Sequence, residues 1–197
     1  MDNMIIFFTF FVLLVSALIY GDNNFNEVKY VKSAIDNNEY LVRKFENNDE
    51  SIKSANMLAK LRHKLIKLAQ HCYKKYPDDN RIKTLKNRFN PNNISETGKN
   101  SKYTSYTVNK GDKIVMCLRE KKGEEGLIDE NTLTFVAVHE MSHIITKTIG
   151  HEKDFWENFK FMLNNAIEIG IYKNVDYSQD PKKYCGIVVT DNPLYNS

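Results

Sequence analysis

Apolar positions recur along this chain with different spacings, and each spacing predicts a different element. Met4 to Tyr20 is apolar on every side, broken only by Thr9 and Ser16. Such a run has no polar face for water, and at about 1.5 Å per residue it approaches the length needed to cross a bilayer. Ile19-Tyr20-Gly21-Asp22 is a poor cleavage site, so the run predicts an uncleaved membrane anchor over residues 1–21 rather than a signal peptide. Residues 22–35 are polar and Asn-rich and predict a tether, with a turn completed by Asn38. Tyr40 to Val42 reads as a short strand.

From Asn48 the spacing becomes helical. Ile52, Ala55, Leu58, Ala59, Leu65, Ala69, Cys72, Tyr73 and Tyr76 trace one face until Pro77 ends the pattern. Arg81 to Phe89 predicts a shorter helix stopped by Asn90-Pro91, and Asn92 to Lys102 a loop. Tyr103 to Val108 and Lys113 to Leu118 are β-rich and joined by Asn109-Lys110-Gly111-Asp112, which is hairpin punctuation. Lys121 to Gly126 predicts a charged loop at a rim. Helical spacing returns from Leu133 to Ile145, with Asp129 or Asn131 placed to cap its start and Gly150 to terminate it. Phe155, Trp156, Phe159, Met162, Leu163, Ala166, Ile167 and Ile169 form a last helical stripe, ended by Gly170. Three tyrosines follow, Tyr172, Tyr177 and Tyr184, and Cys185 to Val189 is a short strand candidate. The class is α+β: beyond the anchor and tether, residues 36–197 predict one domain with a long support helix, a small antiparallel sheet and two later helices.

Composition changes this picture little. With 27% charged and 42% hydrophobic residues the chain is globular, and a net charge of +3 is too small to argue for nucleic acid as the partner. The lysines and arginines of the long helix read as a solvated face. Lys29 and Lys32 follow the apolar run while no basic side chain precedes it, which predicts a bilayer contact through residues 4–20 with the domain on the cytoplasmic side. Three cysteines, Cys72, Cys117 and Cys185, make no even framework and lean the same way, towards a reducing compartment. The sequon Asn93-Ile94-Ser95 matters only for a lumenal domain.

Candidate chemistry concentrates in the stretch from Leu133 to Phe161. Positions i and i+4 of a helix lie on one face, so in His139-Glu140-Met141-Ser142-His143 the two imidazoles converge on one small cation with Glu140 beside them. A catalytic zinc takes three protein ligands and leaves one position open. His151 is the best third ligand, because Gly150 lets the chain reverse just before it. The competing reading is an ordinary structural histidine pair. His63 and His71 are two turns apart on the long helix and are assigned no metal.

The run His139-Glu140-x-x-His143, then His151, then Phe155-Trp156 resembles the small zinc metallopeptidases of the SprT-like and WLM type. It is more closely similar to the metallopeptidase-like proteins of large cytoplasmic DNA viruses. There the resemblance extends from Asp36 to Pro193 and includes Tyr40-Leu41-Val42-Arg43, residues 104–111, Cys117-Leu118-Arg119 and Tyr184-Cys185-Gly186. One departure stands out: seven residues separate His143 from His151, where the metzincin pattern and many WLM-type sequences have five, so the turn between the helices must differ.

These residues predict a membrane-anchored, zinc-dependent metalloendopeptidase. A zinc ion on His139, His143 and His151 would polarise the scissile carbonyl and lower the pKa of water towards ~7, with Glu140 as general base. The hairpin before the motif is expected to offer a strand edge to a peptide or protein substrate through Thr104, Tyr106 and Val108, a role the resemblance favours over a purely structural hairpin. Tyr177 or Tyr184 is a candidate donor to the developing oxyanion. Two other readings compete: a catalytically silent zinc-binding scaffold, and a peptidase acting on DNA-bound proteins, which the SprT and WLM resemblance implies. The anchor and the absence of a nucleic-acid motif weigh against the second.

Overall fold

The structure, a computed structural model, describes residues 6–16, 27–120 and 126–195. Residues 6–16 are helical (α1). They fall within the predicted anchor. No helix among the described residues is long and apolar enough to cross a membrane, so the single-pass anchor, and the orientation argued from it, are not supported. The rest of the apolar run and the Lys121–Gly126 rim lie largely outside the described residues.

The stretch read as a tether contains a strand. β1 (Val28–Lys32) pairs antiparallel with β2 (Glu39–Arg43). The turn between them is held by Ser33, whose amide donates to the Asn38 carbonyl, and by Asn37 at φ 60. Tyr40 and Val42 of β2 point into the core. Beneath them runs α2 (Asn48–Lys75), N-capped by Asn47; of the predicted stripe Ala55, Leu58, Ala59, Leu65, Ala69 and Cys72 are buried, Leu61 and Leu68 join them, and Ile52, Tyr73 and Tyr76 are half-buried. α3 (Asn80–Arg88) follows, capped by Asp79.

The second sheet departs from expectation. β3 (Ile94–Glu96), in a stretch read as loop, pairs parallel with β5 (Lys113–Met116), while β4 (Tyr106–Val108) pairs antiparallel with the other side of β5. The order β3-β5-β4 leaves β4 at an edge. Polar residues hid β3: Ser95 and Glu96 are buried, and Glu96 accepts from the Arg43 amide at 2.9 Å and lies 3.6 Å from its guanidinium, linking the two sheets.

α4 (Glu130–Ile145) is capped by Asp129, which accepts from the Thr132 amide. It packs against α2, α3 and α5 (Lys153–Glu168). α4 ends at Ile145, five residues before the predicted terminator; Gly150, at φ 84, serves the linker instead. The expected C-terminal strand is a hairpin, β6 (Lys182–Tyr184) and β7 (Ile187–Val189), turning through Cys185 and Gly186. Both turn residues have positive φ, 54° and 83°, as a two-residue hairpin of this hand requires. Cysteine is a poor residue there, and two tethers hold it. Cys185 is disulfide-bonded to Cys117, and Glu120 accepts from the amides of Cys185 and Gly186 at 2.9 Å each. The argument from an odd cysteine count therefore fails: two pair, and Cys72 remains a free, buried thiol whose pKa burial pushes up to about 11.

Candidate metal centre and cleft

His139 and His143 sit one turn apart on α4, and the linker after α4 returns His151 to them. The Nε2 atoms of His143 and His151 lie 3.2 and 3.0 Å from Nε2 of His139. Nitrogens about 2.05 Å from a tetrahedral zinc are separated by about 3.3 Å, so the spacing suits that ion. These three residues form the one candidate metal cluster among the described residues. The donor set also fits chemically. Burial, then the neighbouring imidazoles, pulls the His139 pKa down to about 3, and burial with His151 and Lys110 takes His143 to about 4. Burial lowers His151 as well. All three are thus held neutral, which is the ligating form.

The aromatic pair that follows the motif walls this centre. Phe155 stacks on His143 at 4.3 Å between ring centroids and lies 4.8 Å from His139, while Trp156 lies 5.7 Å from His151. Glu168, on the same helix, is engaged with Lys75 away from the triad. His63 and His71 also lie elsewhere, beside Asp36 and Asn165.

Glu140 is 4% exposed, and burial pushes its carboxyl up to about 7, partly offset by a hydrogen bond from Thr107. Thr107 Oγ1 donates to Glu140 Oε2 at 3.0 Å and approaches the Glu140 carbonyl at 3.1 Å. A cation on the adjacent histidines would draw the carboxyl back towards its ionised form. Thr107 was missed from sequence because alternation selected the other strand face, Thr104, Tyr106 and Val108. Its signal is its position: it lies on the edge strand, facing the motif helix.

A cleft of about 710 Å³ runs over the triad. One side is formed by residues 104–107 and the other by Tyr184 and residues 187–191, with Phe135 and Val136 of α4 on the floor. Of the three residues expected to meet substrate, Thr104 and Tyr106 line it and Val108 does not. Of the two tyrosines proposed as oxyanion donors, Tyr184 is in the cleft wall, its hydroxyl hydrogen-bonded to Ser105 Oγ, which also accepts from the Cys117 amide. Tyr177 is fully buried behind the floor, 4.8 Å from the Phe135 ring, and does not line the cleft.

Fold and site together define a mixed α+β protein with a helical H-E-x-x-H motif, a third histidine and an edge strand along the cleft. Residues 37–192 match the WLM domain model, and the chain belongs to that family. It is 32% identical over 204 residues to protein R325 of Acanthamoeba polyphaga mimivirus, covering 98% of this chain and all of that one. It is 27% identical over 157 residues to protein 136R of Invertebrate iridescent virus 6, covering 78% and 85%. The crystal structure of Wss1 from Saccharomyces cerevisiae superposes with a TM-score of 0.48 at 19% identity, covering 65% of this chain and 86% of that one. Membership in the WLM family supports a metallopeptidase-type function.

Proposed function

We propose that this chain is a zinc-dependent endopeptidase acting on extended segments of peptide or protein. One observation carries the reading: three neutral imidazoles aim at one point beside a buried glutamate, in an open cleft bordered by an unpaired strand edge. Zinc held by His139, His143 and His151 would supply Lewis acidity to the scissile carbonyl and to water. The free edge of β4 pairs with the substrate backbone, which aligns the peptide irrespective of its side chains. Glu140 Oε2 takes the proton from the attacking water and delivers it to the departing amine. Tyr184, whose hydroxyl meets Ser105 Oγ at the edge of the cleft, is the remaining candidate to donate to the developing oxyanion.

Thr107 holds the proton-accepting oxygen in place. Thr107→Val removes that donor while keeping a β-branched side chain, and kcat is expected to fall about 10- to 100-fold, the worth of a hydrogen bond to a charged group. KM and zinc content should stay near the parent's, and Thr107→Ser should recover most of the rate. Unchanged kcat in the valine variant would remove Thr107 from the reaction.

The scaffold reading requires a cleft that admits nothing, and the open cleft weighs against it. Cleavage of a broad protein mixture by the full chain, with and without a zinc chelator, is the direct test. Chelator-sensitive cleavage is expected; the absence of cleavage by a zinc-loaded, folded chain would favour the scaffold. With the anchor unsupported, one of the two arguments against DNA-bound substrates also lapses. Adding DNA-coated proteins to the mixture addresses that substrate class.

A further inference from the structure

The seven residues between His143 and His151 pose a problem for the metal centre. A longer linker has more conformations, so the third ligand is harder to place unless something restrains it. Helix α4 covers only the first two of these residues, and the linker's last two, Ile149 at 89% exposure and Gly150, are solvent-facing. The restraint comes from the β4–β5 turn. Lys110 Nζ donates to three successive linker carbonyls, those of Thr146, Lys147 and Thr148, at 2.7, 2.7 and 3.1 Å. An ammonium has three donors, and all three are used.

The turn that presents this lysine is itself over-determined. Asn109 and Lys110 are successive non-glycine residues at positive φ, 47° and 52°, a conformation that L side chains adopt only at a cost. Gly111 follows at φ 126, and a Cβ there would meet the Arg88 carbonyl oxygen at 2.5 Å, so the turn is seated directly on the end of α3. The Asn90 amide donates to the Gly111 carbonyl at 3.0 Å and fixes it there. On the far side of the linker, Thr148 bonds to the Asp154 carboxylate and the Asn158 amide group donates to Thr146 Oγ1 at 3.0 Å. The linker is therefore gripped from two sides, up to three residues before His151.

We propose that Lys110 is a positioning residue for the metal centre: by capping three carbonyls it turns the long linker into a fixed bracket that holds His151 in register with His139 and His143. The inference rests on the zinc reading above. It is separable from a purely electrostatic role by sign. The ammonium disfavours a second positive charge at His143, so electrostatics alone predicts that removing it tightens the binding of a divalent cation. Positioning predicts that binding weakens. A role in general stability is separable by coupling, because a bracket for His151 has nothing to hold once that ligand is gone.

The test is the zinc affinity of the full chain, measured with zinc alone against a chromophoric chelator, for the parent, Lys110→Met, His151→Ala and the double variant. Lys110→Met is expected to weaken zinc binding about 10- to 100-fold, as lost supporting contacts around ligands do. In the His151→Ala background the same change should have almost no further effect. Lys110→Arg keeps the charge but cannot aim three donors at one cluster of carbonyls, and it should weaken binding in the same direction, which serves if the methionine variant does not fold. Parent-like or tighter zinc binding by both Lys110 variants overturns the inference and leaves the zinc reading intact. So does a full effect of Lys110→Met without His151. A parent chain that binds no zinc overturns both.

Discussion

Glu140→Gln is expected to leave the fold and zinc content of this protein intact and to lower hydrolysis by about 10²- to 10⁴-fold, the usual contribution of a general base. Glutamine has nearly the same shape and helix propensity, and it can still accept the Thr107 hydrogen bond, but it cannot take a proton. The substitution also removes a carboxyl that is buried at 4% exposure, so stability should hold or rise slightly. A single peptide substrate at equal zinc occupancy is the appropriate assay, because metal loss would otherwise imitate loss of the base. A glutamine variant that cleaves at the parental rate with zinc bound would assign the proton transfer to another group.

His139→Ala is expected to abolish zinc binding more completely than either of the other ligand substitutions. Its Nε2 lies within about one van der Waals contact of both partners, at 3.2 and 3.0 Å, so it is the shared vertex of the cluster. His151 is exposed and comes from a linker rather than the helix, so its loss should weaken binding while leaving the helical pair. Elemental analysis after identical dialysis should read about one zinc per chain for the parent, an intermediate value for His151→Ala and close to none for His139→Ala. Equal retention by His139→Ala and the parent would place the ion somewhere other than this triad.

The parts of this architecture that were legible in the sequence are those where one period governs many residues. α2 spans Asn48–Lys75 because its apolar stripe and Pro77 agree. The convergence of the three histidines was readable because a helix forces i and i+4 together and a glycine precedes the third histidine. The illegible parts are those where partners lie far apart in the chain. β3 buries Ser95 and Glu96, and Glu96 finds the backbone amide and guanidinium of Arg43 more than fifty residues away. The Cys117–Cys185 pairing was hidden by counting cysteines rather than placing them, and Thr107 by reading a strand as having one functional face when its tip has two. The N-terminal run failed differently: apolarity alone was taken for a membrane span, and no described helix meets that requirement.

The Cys117–Cys185 bridge has a mechanical consequence. Its sulfurs close a covalent loop across a sequence separation of 68, and that loop contains Glu140 and all three histidines of the cluster. Tension applied at the two ends of the chain therefore crosses from Cys117 to Cys185 through the sulfurs and bypasses α4, the linker and α5. Pulled in an oxidised state, the chain lengthens only by the segments outside the loop, so the centre formed by the three histidines and Glu140 bears no load, while β4, Thr107 and Lys110, which precede Cys117, do. Reduction releases a hidden length on the order of 200 Å, at about 3.3–3.6 Å per residue, and brings that centre into the path of the force.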